Sequence, residues 1–230
     1  MGHHHENHES NYKDRQIFFT ADPHFFYDQI LETAHRPFKD IEEMNKKISD
    51  NINSRCTESD ILYIIGDVAC YGCDTTALVR LLKSLRPELH LVTGNHDRAL
   101  LNSKRFCSCF SKISSHEYLT VGGYDLYLSH YPLAEWDGLW KGRWLFYGHV
   151  HEGLAGPAVL MDRMVPTAIN VGVDVNDFMP KTAEELISAR KKSFSYPKQD
   201  EMADVMSAII PVADGRNKLN DKSLDLSWVR

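Results

Sequence analysis

Long apolar runs are missing from this sequence. No stretch reaches the ~20 apolar residues that a membrane-crossing helix needs, so a spanning helix is not expected. The opening residues MGHHHENHES are polar and histidine-rich and contain no apolar h-region, so no Sec-type signal is expected and residues 1–14 read as a disordered leader. An excess of positive charge is also missing: 26 Lys and Arg face 32 Asp and Glu, for a net charge of -6. That balance counts against a protein that coats nucleic acid, which shows a basic footprint. It leaves a nuclease open, because bound cations make a site locally positive. Cysteine is scarce and odd in number, with five residues at Cys56, Cys70, Cys73, Cys107 and Cys109. Reduced thiols in a cytoplasmic protein are the simple expectation. Cys70-x-x-Cys73 and Cys107-x-Cys109 could form a zinc site or a redox pair, but the second spacing is atypical for zinc. Free thiols, buried or half-buried, are therefore expected.

What is present suits one mid-sized α/β unit. The 43% apolar fraction is enough for a core without staples. No internal repeat appears, and no linker parts two large domains. Residues 15–192 read as one domain and residues 193–230 as its extension or tail, with an apolar island at 206–212.

The first half repeats strand, loop, helix, which implies a parallel sheet. Residues 16–21 form a short apolar strand ending at Asp22, and residues 28–35 have weak helical character. Asp40 and Glu43 fit a variant capping box ahead of Ile41, Met44, Ile48 and Ile52 at helical spacing. A strand over 61–65 follows. Asp74 caps a helix bearing Leu78, Leu81, Leu82 and Leu85, which Pro87 stops. A third strand spans 89–92. Beyond it, residues 118–121 and 124–128 flank Gly122-Gly123 as a hairpin. Further strands are predicted over 144–147 and 168–173. A helix is predicted over 182–191, with Thr182 and Glu185 as a second capping box.

Metal-binding and catalytic residue types gather at the ends of these strands. Asp22-Pro23-His24 ends the first, Gly66-Asp67 the second, and Gly94-Asn95-His96-Asp97 the third. Ser129-His130 ends the hairpin strand, and Gly148-His149-Val150-His151 the next. Open α/β sheets build their sites beyond the carboxyl ends of strands. Each group alone is weak: a lone Asp-x-His occurs by chance, and a lone His130 could be a satisfied core histidine. Five groups in order, each at a strand end, are not plausibly coincidence. Seven ligands emerge: Asp22, His24, Asp67, Asn95, His130, His149 and His151. Carboxylate, imidazole and amide oxygen suit Mn, Fe, Zn or Co, with Mg also possible and Mn favoured. If one carboxylate bridges, seven side chains give two ions four protein contacts each. Two such ions clamp an in-line displacement at phosphorus, with an acidified bridging water as nucleophile. Gly66, Gly94 and Gly148 permit the tight turns and close approach that converging ligands need.

These motifs resemble the calcineurin-like metallophosphoesterases, whose signature runs D-x-H, GD-x-x-x-x-G, GNH-[DE], H, GH-x-H. Here it reads Asp22-Pro23-His24, Gly66-Asp67 through Gly72, Gly94-Asn95-His96-Asp97, His130 and Gly148-His149-Val150-His151, over roughly residues 17–173. The resemblance implies a sandwich of two β-sheets flanked by helices. It implies that Asp22, His24 and His151 hold one ion, that Asn95, His130 and His149 hold the other, and that Asp67 bridges. It implies that His96 binds no metal and acts near the leaving-group oxygen as general acid or phosphate donor. Looser likeness to small bacterial and phage phosphoesterases appears in Arg36-Pro37-Phe38, in His130-Tyr131-Pro132-Leu133 with Trp136, and in Asn170-Val171-Gly172-Val173-Asp174.

One departure matters. Protein Ser/Thr phosphatases of this superfamily carry Asp then Arg before the last Gly of the second motif; here Cys70 and Tyr71 stand there. A phosphoprotein substrate is therefore disfavoured, and support for His96 is expected from elsewhere; Asp97 is expected to be structural. Arg36 and Arg98 are candidates to grip a phosphate oxygen, against the plainer reading of solvated surface arginines. Tyr71 and Trp136 fit either a base-stacking platform or the core. The expected protein is thus a cytoplasmic phosphoesterase acting on a small phosphodiester or nucleotide. Its rivals are a nuclease of the same superfamily and a non-catalytic scaffold of the same fold that binds a protein partner. Extended nucleic acid is disfavoured by the charge balance.

Overall fold

The protein is seen here as a computed structural model that describes residues 15–152 and 157–198. The histidine-rich leader and the apolar island at 206–212 lie outside the described residues. Two sheets face each other. The first is built from β1 (Ile17–Thr20), β2 (Ile61–Ile65), β3 (Glu88–Val92), β4 (Lys112–Ser114) and β9 (Lys181–Thr182), in the order β4-β3-β2-β1-β9. Its first four strands run parallel, and β9 pairs antiparallel to β1. The second holds β5 (Glu117–Val121), β6 (Tyr124–Leu128), β7 (Trp144–Tyr147) and β8 (Ala168–Asn170), in that order. β5 and β6 form the predicted hairpin around Gly122-Gly123, both at positive φ, while β7 and β8 continue parallel to β6. The expected α/β architecture of two sheets flanked by helices is what the chain adopts.

Strand alternation divides the core. Ile17 and Phe19, and Ile61, Tyr63 and Ile65, point between the sheets toward Leu126, Leu128 and Phe146. Phe18, Leu62 and Ile64 point the other way. They meet α1 (Ile30–Thr33), α2 (Ile41–Arg55) and α3 (Thr75–Ser84), with Phe106 of α4 (Lys104–Cys107) closing the layer. The helices start where capping chemistry places them. Asp40 accepts from Glu43 N–H at 2.8 Å, but the Glu43 carboxylate reaches Lys39 N–H rather than Asp40, so only half of the box forms as expected. Asp74 accepts from Thr76 and Ala77. α6 (Ala183–Ser193) has the full Thr182–Glu185 box, and it adds Leu186 and Ile187 to the core between the sheets. α5 (Pro157–Met164) covers the outer face of the second sheet, where Met161 meets Leu145 and Tyr147.

One predicted strand is shorter than expected. The segment over 168–173 leaves the sheet after Asn170. There the Asn170 side chain accepts from Gly172 N–H, and Asn176 donates to the carbonyls of Asn170 and Gly172, turning the chain. Gly172 then bridges to Ala21, joining the two sheets beside the end of β1. All five cysteines are free thiols.

Candidate metal centre

The ends of β1, β2, β3, β6 and β7 converge on one edge of the sandwich, and all seven expected ligands meet there. Asp22, His24 and Asp67 form one group whose ligand atoms lie within 4.8 Å of one another; Asp67, His130 and His149 form a second. Asp67 is common to both. Asn95 Oδ1 lies 3.0 Å from His130 Nε2, which adds it to the second group. The His151 ring stacks on His24 at 5.2 Å, which adds it to the first.

The backbone bends sharply to achieve this. Asp22, His24, Asp67, His149 and His151 all have positive φ, between 49° and 72°. Left-handed backbone disfavours residues with a Cβ, though Asp and His tolerate it better than most. Hydrogen bonds hold the bends: Asp22 N–H donates to Gly66 O, and His24 N–H to Asp67 O, both at 3.1 Å. The Asp22 carboxylate accepts from His149 N–H at 2.9 Å and so ties the second sheet to the first. Two glycines are required by contact alone. A Cβ on Gly94 would overlap the Asp67 carboxylate, and one on Gly148 would lie 2.5 Å from Asp22 Oδ2.

Hydrogen bonds also fix which imidazole nitrogens face the centre. His130 Nδ1 lies 3.0 Å from Ile65 O, and a carbonyl only accepts, so Nδ1 carries a proton and Nε2 faces Asn95 Oδ1 and the Asp67 carboxylate. His151 Nδ1 likewise faces the Asp174 carboxylate at 2.7 Å, leaving its Nε2 free. A carboxylate behind a ligating histidine orients the ring and sharpens its basicity. Burial pushes His24 well below the ordinary imidazole range and His149 down to about 4, so both are neutral, the state in which imidazole binds metal. Burial pushes the Asp22 carboxyl up to about 7, against the pull of His130 and His151. Burial acts the same way on Asp67, but its contacts with His130, His24 and His96 N–H outweigh it and hold that carboxyl well below the ordinary range. Both His24 ring nitrogens are buried with no hydrogen-bond partner. An orphaned imidazole beside two buried carboxylates is a donor set that fits divalent cations.

Comparison with known proteins agrees with this geometry. The calcineurin-like phosphoesterase family matches residues 15–156, more than half of the chain. The chain belongs to the calcineurin-like phosphoesterases. An uncharacterized protein of Methanocaldococcus jannaschii, MJ1445, is 29% identical over 180 residues, covering 77% of this chain and 93% of its own. The crystal structure of AQ665 from Aquifex aeolicus, a protein of unknown function, superposes with a TM-score of 0.62 at 24% identity, over 76% of this chain and 100% of its own. A Pseudomonas putida nuclease overlaps more weakly, with a TM-score of 0.39 at 19% identity, over 60% of this chain and 61% of its own. Membership makes the chain a metal-dependent hydrolase of ester bonds, in a family that works with divalent ions. Among the described residues no helix is long and apolar enough to cross a membrane.

Around the ligands, this phosphoesterase shows what the sequence concealed. Asp97 is fully buried and accepts from the N–H groups of Asp67, Val68 and Gly94 at 2.8–2.9 Å, stapling the second and third motifs together. That is the structural role expected of it. His96 stands at the opening with a 38% exposed side chain, its Nε2 4.0 Å from Asp67 Oδ2. Its support was expected from outside the second motif; instead Cys70 Sγ lies 2.9 Å from His96 Nδ1. Burial pushes the Cys70 thiol up to about 12, so it remains neutral.

Arg36 is placed differently from the phosphate-gripping expectation. Its guanidinium is buried and spent on Asp174, at 2.7 and 2.9 Å, and on the carbonyls of Pro23 and Asp22. It braces the Asp22 turn from behind and presents nothing to the opening. Asp174, which sequence reasoning did not select, joins Arg36 to His151. The Asn170-Val171-Gly172-Val173-Asp174 segment carries a likeness to the small phosphoesterases, and that is the available signal. Arg98 is exposed, and its charge acts on the Tyr131 phenol, whose ring packs 4.8 Å from His149. Tyr71 is 84% exposed, while Trp136 is buried and donates its indole N–H to Arg143 O, which assigns it to the core.

Proposed function

We propose that this phosphoesterase uses two divalent ions, with Mn favoured, to hydrolyse a small phosphodiester or nucleotide. The observation that carries the reading is Asp67, shared by two ligand groups. Asp22, His24 and His151 would hold one ion; Asn95, His130 and His149 would hold the other; Asp67 would bridge. Bound there, the ions would supply Lewis acidity and an acidified water as nucleophile. The chain's own residues orient the ester. His96, half-exposed above Asp67, is suited to donate a proton to the leaving oxygen. Tyr131 packs on His149, and the exposed Arg98 follows directly on the third motif; together they suit a phosphate joined to a planar group. The small-substrate preference is supported by the net charge of -6 and by Cys70 and Tyr71 in the second motif. A cytoplasmic location is supported by the five free thiols.

The test is metal content together with Mn-dependent hydrolysis of bis-p-nitrophenyl phosphate and p-nitrophenyl phosphate. Two ions per chain and faster turnover of the diester are expected. One ion per chain, or a fully metallated protein inert on every phosphate ester, sinks the reading and favours the scaffold. His96→Ala should keep both ions while kcat falls roughly 10²–10⁴-fold. Loss of an ion from that variant would refute the role given to His96.

A further inference from the structure

The Cys70 sulfur lies 2.9 Å from His96 Nδ1 beside the centre. The Tyr27 ring packs 6.2 Å from the His96 ring, and its hydroxyl donates to Gln29 Oε1 at 2.9 Å. Cys70 is held in place. It is 6% exposed, and the chain just before it is tied to the first motif by the Phe25–Ala69 bridge and by Phe25 N–H donating to Val68 O. Among the described residues, no other hydrogen bond reaches the His96 ring.

We propose that Cys70 is a positioning residue for catalysis, fixing the rotamer and tautomer of His96 so that Nε2 faces the leaving group. The proposal rests on the phosphoesterase reading above. Acting as general acid, His96 carries protons on both ring nitrogens, so Nδ1–H donates and the Cys70 sulfur accepts. When the Nε2–H bond breaks and the proton passes to the leaving-group oxygen, the electron pair stays on Nε2. What remains is the neutral Nδ1–H tautomer, the form that the sulfur accepts from. A thiol at this position therefore holds the ring in the Nδ1–H orientation through the proton transfer without adding a buried charge.

The test uses the full chain, Mn-loaded, with Cys70→Ala and Cys70→Ser. Two diesters are compared: thymidine 5′-p-nitrophenyl phosphate, whose leaving phenolate needs little protonation, and the dinucleotide thymidylyl-thymidine, whose leaving alkoxide needs it. Cys70→Ala should retain both ions and KM but lose about 10–10²-fold in kcat on the dinucleotide, in line with a misplaced catalytic group, and far less on the aryl ester. Cys70→Ser should restore most of the loss, since a hydroxyl can both donate and accept. Equal losses on the two esters, or a serine variant as poor as the alanine one, would overturn the proposal. A second measurement does not need turnover. Imidazole ¹⁵N shifts of zinc-loaded protein, with His96 assigned by its absence in His96→Asn, should show an Nδ1–H pattern that Cys70→Ala abolishes. Unchanged His96 signals in that variant also overturn the proposal. Failure of the wild-type enzyme on both esters would instead sink the phosphoesterase reading, and the ¹⁵N shifts would still decide the role of Cys70.

Discussion

Arg36 and Arg98 look alike in sequence and differ completely in place. Arg36 is buried against Asp174, and Arg98 is exposed near Tyr131. Arg36→Ala leaves the buried Asp174 carboxylate without its cation, a defect that costs about 3–5 kcal/mol. Urea denaturation should show that loss. Arg98→Ala should leave the urea midpoint unchanged and raise KM. A stable Arg36→Ala protein with only a raised KM would return Arg36 to the substrate. Asp174→Asn should lower the affinity for one ion by about 10–100-fold and spare the other, because Asp174 supports His151 alone among the ligands. Calorimetric titration with Mn separates the two sites, and equal weakening of both would refute this pairing. The convergence of the candidate ligands was legible because Asp, His and Asn recurred at strand ends. Their supports were not. Arg36 and Asp174 stand 138 positions apart, and neither residue type distinguishes a buried brace from a solvated surface charge.

At the scale of elements, periodicity and capping read well where they were strong. The continuous apolar runs of β1 and β2, the leucines of α3 and the Thr182–Glu185 box all lie where predicted. β4 and β9 were missed because three residues and two residues carry no period, and their pairing with β3 and β1 is purely long-range. The left-handed bends at five candidate ligands were equally hidden, since Asp and His tolerate that backbone without announcing it. The α6 cap also joins elements. Glu185 accepts from Thr182 N–H and from Arg55 at the end of α2. Glu185→Ala should therefore cost about 1 kcal/mol, in the range of a lost cap and with the exposed ion pair adding little. The pH dependence has a definite sign. Burial raises the Glu185 carboxyl, but Thr182 and Arg55 outweigh it and hold the group below its ordinary value. Its contribution is complete above the unfolded value of about 4.3 and is lost as pH falls through the lower folded value. Denaturation curves of Glu185→Gln should diverge from wild type at neutral pH and converge with it in acid.

At the scale of the whole molecule, the candidate metal centre is also a joint. Asp22, His24, Asp67 and Asn95 come from the first sheet, and His130, His149 and His151 from the second. Polar bonds cross this edge from His149 N–H to Asp22, from His130 to Asn95 and Ile65, from Val173 N–H to Ala21 O and from Arg36 to Asp174. Without cations, the edge buries the Asp22 carboxyl, which burial pushes up, and a His24 imidazole with no hydrogen-bond partner. Bound ions would satisfy those groups and couple the sheets, so they stabilise the folded chain in proportion to their occupancy. At free metal near 1,000 times Kd, each site adds about 4 kcal/mol. For a chain of this size each kcal/mol raises Tm by about 2–4 °C, so one filled site predicts a rise of roughly 8–16 °C over protein in EDTA. Asp67→Ala, lacking the ligand common to both groups, should show almost none of that rise while still melting cooperatively. If Mn left the wild-type Tm where EDTA leaves it, or lifted the Asp67→Ala protein equally, the cations would lie elsewhere and this edge would be no more than a polar seam.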